Sequence, residues 1–340
     1  MAIFTIIASI IGAGFASGQE IYLFFYKYGL NGIYGLLVCS LLIAYIVYKV
    51  LYIVYSKNSK NYESFLRRIF NSGSKKRTYL DFSYISNIIV NIFLLFSFFI
   101  MIAGFASYFE QELKISHIFG AVVISICSFL VFMTNMNGFT KLNSIIVPIL
   151  IGCIIVVGTK NMLNIELNKI DFAKSNSLTW IIKSIIYGSY NIILLIPVLV
   201  NLKSYIKNKK SIFFISISTG IIFFMLSIII FFLLANVDVP FNNLEMPIIY
   251  VIKNVFSEFK IIYGGVILIS IFTTATAIGI SFLENVCKNK KSYPHVAGMM
   301  CITGIVFSNF GFSNMVKMLF PVFGYLGLIQ IWGIINYNSK

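Results

Sequence analysis

Charge is what this chain has least of. Charged side chains make up 11% of its 340 residues, against 59% hydrophobic. A soluble domain of this length needs far more polar surface, so the composition predicts a polytopic membrane protein set in a lipid bilayer. A mean hydropathy of +0.92 agrees. Acids are scarcer still, 11 against 26 lysines and arginines, giving a net charge of +15. That excess does not read as nucleic-acid binding, because the basic residues sit in short loops between apolar stretches. The two histidines, His117 and His295, lie near stretch ends and read as interfacial residues. The five cysteines are odd in number, four lie in apolar stretches and none forms a CxxC pair, which excludes a disulfide framework or a cysteine metal site. No nucleophile–base pair stands out, so an enzyme is not expected. No lysine or arginine precedes the first apolar run, which argues against a cleaved signal peptide.

What the chain does have is long apolar runs. A membrane-spanning helix needs about 20 such residues. Ten stretches qualify: 2–25, 30–55, 81–109, 116–135, 143–160, 178–200, 211–236, 259–285, 295–311 and 315–337. The loops 56–80, 201–210 and 286–294 are basic, and all fall on one side of a ten-span arrangement. The other side takes most of the acids, among them Glu110, Glu166, Asp171, Asp238 and Glu245. The basic side is expected to be cytoplasmic, with both termini inside the plasma membrane of a bacterium. Spans 1 to 5 (residues 1–160) and 6 to 10 (178–337) match in spacing at a near-constant offset. Five spans repeated place the two copies in opposite topology, as in the inverted repeats of secondary transporters.

The most informative stretch is Ile11-Gly12-Ala13-Gly14-Phe15-Ala16-Ser17-Gly18-Gln19-Glu20. Three glycines within seven residues weaken a helix, and a carboxylate at membrane depth is expensive and usually functional. Irregular backbone is tolerated in a bilayer only where protein or a watery cavity surrounds it. The expected structure is a half helix, an unwound turn and a second half helix lining a solute site. The competing reading is a glycine-rich packing face with Glu20 near the outer interface. In the second half, Tyr187-Gly188-Ser189-Tyr190-Asn191 falls at the matching level and predicts a second break. Freed amides of both spans would bind a solute carboxylate, with Tyr187, Tyr190 and Asn191 shaping the pocket. Packing of an intact helix through Gly188 is the alternative. Ser270, Thr273 and Thr274 share one face of span 8. Their hydroxyls and a backbone carbonyl suit a small hard cation such as sodium, with carbonyls of span 1 completing the shell. Hydroxyls bonded back to their own helix are the plainer account. Glu20 keeps a proton open as the coupling ion. The loop from Val237 to Glu258 is long enough to fold over the outer mouth, with Pro247 opening a short helix.

The nine residues Gly12 to Glu20 resemble the signature of the YkvI-type membrane proteins of Gram-positive bacteria. These are classed with amino-acid permeases of the amino acid–polyamine–organocation superfamily. The resemblance covers essentially the whole chain. It implies an all-α, LeuT-type five-plus-five inverted repeat with helices 1 and 6 broken. It implies substrate contacts at Gly12, Ala13, Gly14, Tyr187 and Tyr190, and a sodium site at Ala8, Ile11, Ser270, Thr273 and Thr274. Some LeuT-type proton-coupled relatives carry a lysine in mid span 5, whereas here Lys141 and Lys160 sit at that span's edges, which favours sodium. The expected function is therefore sodium-coupled transport of a small zwitterionic solute by alternating access. The rival from another class is a germinant-receptor-like membrane sensor that binds an amino acid without net transport and works with partner proteins. No organic cofactor is expected.

Overall fold

The computed structural model describes residues 2–57, 62–71, 82–134, 139–162, 178–202, 206, 208–235, 244–255, 257–287, 289 and 291–337, and among these it is helical with no strand. Helices α1 (Ala2–Ile10), α2 (Ala13–Ala16) and α3 (Gln19–Phe24) are pieces of one interrupted apolar stretch. They are followed by α4 (Leu30–Lys57), α5 (Tyr62–Asn71), α6 (Phe82–Gln111), α7 (His117–Met133) and α8 (Phe139–Met162). The second half holds α9 (Thr179–Asn201), α10 (Lys209–Ala235), α11 (Pro247–Val255), α12 (Lys260–Val286), α13 (Tyr293–Ser308) and α14 (Phe312–Asn336). Each apolar stretch of the sequence coincides with one of these helices or, for the first, with α1 to α3. Several basic and acidic loop residues that set the expected orientation, including Lys75, Lys76, Arg77, Lys203, Glu166 and Asp238, lie outside the described residues.

Among the described residues, six helices (α4, α6, α9, α10, α12 and α14) are long and apolar enough to cross a membrane, and α7, α13 and the Pro148–Lys160 part of α8 are shorter apolar helices. The distribution of side chains has the polarity of a bilayer protein. Leu41, Phe214, Met225, Ile261 and Trp332 face outward, while Ser17, Gln19, Glu20, Asn191, Thr273 and Gln330 are buried. In lipid the apolar surface costs nothing, and polar groups must find partners inside.

The break in the first stretch is present, and it is double. Ile11 and Gly12 separate α1 from α2, and Ser17 and Gly18 separate α2 from α3. The amide of Gly12 bonds back only two residues, to the Ile10 carbonyl at 3.0 Å. Gly18 has φ +78°, the left-handed region that only glycine enters cheaply. Side chains hold the fragments in place. The Tyr263 hydroxyl of α12 donates to the Ala16 carbonyl at 2.8 Å. The Ser17 hydroxyl donates to the Gly14 carbonyl at 3.0 Å.

The expected break in the sixth stretch is absent: α9 is continuous through Tyr187–Asn191. Two local bonds accompany this. The Ser189 hydroxyl donates to the Ile185 carbonyl at 2.6 Å and the Asn191 amide to the Tyr187 carbonyl at 3.0 Å, so both polar side chains are satisfied within their own helix. Gly188 is a packing glycine. A Cβ there would come within 2.9 Å of Leu42 on α4. On the opposite face, Gly324 and Gly327 of α14 sit against the backbone at Ile186 and Ser189. Clamped on both sides by such close approaches, α9 has no room to unwind.

Gly18→Ala is expected to lower the thermal midpoint of the purified protein through about 1–2 kcal/mol of left-handed strain, plus a clash with Ile248. Adding Ile248→Ala should recover only the clash. A midpoint unchanged by Gly18→Ala would refute the strained turn.

Candidate functional site

Glu20 is the second residue of α3, and the turn at Ser17–Gly18 swings it inward. It is only 5% exposed. One carboxylate oxygen, Oε2, accepts two phenolic hydrogen bonds from α9, from Tyr187 at 3.0 Å and from Tyr190 at 2.5 Å. The two tyrosines are one helical turn apart, so a single face of α9 supplies both. Oε1 lies against Gly14, where any Cβ would overlap it. Gly14 therefore clears space for the carboxylate. Aromatic rings enclose the group: Phe24 and Phe25 pack edge-on to Tyr187 at 5.2 and 4.9 Å, and Phe320 lies 4.5 Å from Tyr190 between ring centroids.

This carboxylate forms the blind end of a cavity of about 360 Å³. Ala8, Gly12 and Gly14 border it from the broken stretch, Tyr190 and Asn191 from α9, Phe93 from α6, Thr274 and Ala277 from α12 and Phe320 from α14. At its far end it reaches Tyr62, Asn201, Glu284 and Asn285. Asn201, Glu284 and Asn285 are exposed, so the cavity opens there. Those residues adjoin the basic loops. Asn285 also donates to Asn91 of α6 at 3.0 Å, tying α12 to α6 beside the mouth. Gln330 of α14 donates to Tyr62 at 3.1 Å and to Ser86 at 2.8 Å, seating α5 at the same end.

The opposite end is plugged. The helix opened by Pro247, α11, lies over the turn of the broken stretch, and the Ile248 amide donates to the Ser17 carbonyl at 2.9 Å. Gln19 donates to Ser313 Oγ at 2.5 Å, and the Ser313 amide donates to Glu245 Oε2 at 2.5 Å. Burial pushes the Glu245 carboxyl above its ordinary range, against the opposing pull of the Ser313 amide and Lys317. Outside the plug is a separate polar crevice lined by Glu110, Lys114, His117, Glu245 and Gly311.

The residues expected at the solute site divide into two groups. Gly12, Gly14, Glu20, Tyr190 and Asn191 border the cavity; Tyr187 stands behind Tyr190 on the carboxylate, and Gly188 faces α4. Ala13 begins α2 beside Gly12. Of the residues expected to hold sodium, Ala8 and Thr274 border the cavity, while Ile11, Ser270 and Thr273 are buried. The Thr273 hydroxyl donates to the Ser270 carbonyl at 3.1 Å, and the buried Ser270 hydroxyl has no hydrogen-bond partner among the described residues. Sequence reasoning missed Phe93 and Phe320, whose type is common to every stretch, and the latch of Glu245, Ser313 and Gln19, whose members are far apart in the chain.

No protein-family model matches the chain. It is 25% identical over 345 residues to the uncharacterized membrane protein YkvI of Bacillus subtilis (strain 168), covering 98% of this chain and 94% of that one. It is 23% identical over 348 residues to the uncharacterized protein YyaD of the same organism, with the same coverage of 98% and 94%. Likeness along the full length to a membrane protein joins the outward apolar faces and the long apolar helices. The chain is a multi-pass membrane protein.

Removing one hydroxyl from the carboxylate should cost about 1.5–3 kcal/mol, the range for hydrogen bonds to charged groups. Tyr190→Phe is expected to destabilise the parent by that amount and a Glu20→Leu background by much less, read from thermal midpoints in a double-mutant cycle. Equal costs in both backgrounds would disprove the coupling.

Proposed function

We propose that this protein is a secondary active transporter of the cytoplasmic membrane. It moves a small zwitterionic solute, an amino acid or close relative, by alternating access. The observation that carries this reading is the one-sided cavity: a buried carboxylate beside a broken helix at its blind end, a mouth among polar residues at one end and a plug at the other. A channel would be open at both ends. A structural membrane protein has no use for a carboxylate held by two hydroxyls, with no cation among the described residues, at the bottom of a solute-sized cavity.

In this proposal the basic loops and both termini are cytoplasmic, so the cavity faces inward and the plug of α11, Ser313 and Glu245 is the closed outer side. The LeuT-type inverted repeat of residues 1–160 and 178–337 is part of the same proposal. It is supported by the broken first stretch meeting α9 midway along that helix, and modified by the continuity of α9. With α9 intact, the irregular backbone that meets a solute in this proposal is that of the first stretch, where Gly12 and Gly14 border the cavity.

The coupling ion has two candidate seats. A sodium site of Ala8, Ile11, Ser270, Thr273 and Thr274 is supported by the unpartnered Ser270 hydroxyl and by Ala8 and Thr274 bordering one cavity. A proton seat at Glu20 is supported by the carboxylate's position at the blind end. Proteoliposome uptake of radiolabelled amino acids under imposed gradients tests both. Sodium coupling predicts that replacing sodium with N-methylglucamine, or Thr273→Ala with Thr274→Ala, lowers initial uptake at least tenfold. Unchanged uptake in both cases removes the sodium seat. No flux of any amino acid under any gradient would overturn the transporter reading.

A further inference from the structure

The charges around the cavity are lopsided. Its described lining includes no lysine, arginine or histidine, although the chain carries a net charge of +15. The ionisable side chains that border it are Glu20 at the blind end, Tyr190 beside it, and Tyr62 and Glu284 near the mouth. Around Glu20, α9 presents Tyr187 and Tyr190, and α4 presents Cys39, behind Gly188. The nearest ring from α10 is Phe223, beside Tyr187, and those from α6 and α14 are Phe93 and Phe320, beside Tyr190. The carboxylate thus has two neutral hydroxyl donors and aromatic faces, with no cation from these elements.

We infer that Glu20 is held alternately by a proton and by the protonated amine of the solute, so that the amine, and not the solute's carboxylate, is what the site recognises. This rests on the transporter reading above. Three features carry it. A buried carboxylate is stable only when something neutralises it. Here the neutraliser must enter through the cavity, because the described lining supplies none. Oε2 is engaged by both tyrosines, whereas Oε1 lies against Gly14, which with Glu20 borders the cavity, and this oxygen is the one left to take the ammonium N–H. The rings of Phe93 and Phe320 border the same space, and aromatic faces attract an ammonium while offering a carboxylate nothing.

A consequence is exchange. The plug can re-form on the empty protein only after Glu20 has taken a proton, and on the loaded protein only with the amine in the proton's place. Transit with the bare carboxylate buried is suppressed. A proton released on one side is thereby replaced by an amine bound on that side. Binding of proton and amine is mutually exclusive at one carboxylate, so their affinities are reciprocally linked.

The test uses the purified full chain and three probes with one carbon skeleton: leucine, its decarboxylated amine 3-methylbutylamine, and its deaminated acid 4-methylpentanoate. Thermal midpoints and, in weak buffer, proton release are read between about pH 6 and pH 8. The amine and leucine are expected to stabilise the protein at the upper end, the amine at least as strongly, and the acid not at all. The apparent affinity for the amine should fall by roughly tenfold per pH unit once Glu20 takes up protons, and each amine bound should displace a proton. Glu20→Gln should lose amine binding and proton release together. If that variant does not fold, the pH dependence and proton release of the parent still decide. The inference is overturned if 4-methylpentanoate binds as tightly as the amine, if amine affinity is flat in pH with no proton released, or if none of the probes binds at millimolar concentration. Because the readout is binding, these outcomes are independent of whether flux is found in proteoliposomes.

Discussion

One carboxylate organises this molecule. Glu20 is buried, and its known partners are two phenols from a single helix face. A lone ionised carboxylate taken from water into the interior costs several kcal/mol even after relaxation, and two hydrogen bonds to it return only part of that. The chain accommodates the group by local departures from regular structure. The first apolar stretch breaks twice, so that α3 can turn the side chain inward. Gly14 gives up its side chain so that Oε1 has room. Tyr187 and Tyr190 stand one turn apart on a helix that two neighbours hold straight. Each of these features makes little sense without Glu20.

The same arrangement explains why the two ends of the molecule differ. On the side of the acidic loops, α11 and the start of α14 close over the turn at Ser17–Gly18 through backbone and side-chain bonds that converge on Ser313 and Ser17. On the side of the basic loops, the cavity bordered by α6, α9 and α12 reaches exposed Asn201, Glu284 and Asn285. The plug is built of a few hydrogen bonds and the buried side chains of α11, Ile248, Ile249, Val251 and Ile252, whereas α9 is packed through Gly188 against Leu42 of α4 and, at its backbone, against Gly324 and Gly327 of α14. A few hydrogen bonds can be exchanged for others in a second state; glycine-mediated packing is far less tolerant of displacement. In the proposed transport cycle the broken stretch with its cover moves against the α4–α9–α14 layer.

Much of this was legible in the residues. Apolar length located every long helix, because a bilayer imposes its thickness on sequence. Clustered glycines before Gln19-Glu20 located the break, because both peculiarities are costly in lipid. Pro247 marked the start of the short helix over the plugged end. What misled was the pentapeptide Tyr187–Asn191. Glycine and serine there suggested a break, but a lone glycine serves equally for close packing, and Ser189 and Asn191 bond back to their own helix. The difference lies in Leu42 and Gly324, residues distant in the chain. The carboxylate's partners were visible only as pocket candidates, since nothing in the spacing between Glu20 and the tyrosines encodes their contact.

The central claim is a cavity with its blind end at Glu20, reached from one face of the membrane at a time. Thiol accessibility tests it most directly. With Cys39, Cys127, Cys153, Cys287 and Cys301 replaced, Ala277→Cys would sit on the cavity wall and Gln111→Cys in the crevice beyond the plug. In the resting protein, a membrane-impermeant maleimide should label Ala277→Cys from the cytoplasmic face alone and Gln111→Cys from the outer face alone. Labelling of Ala277→Cys from both faces at once, or from the outer face only, would contradict the account.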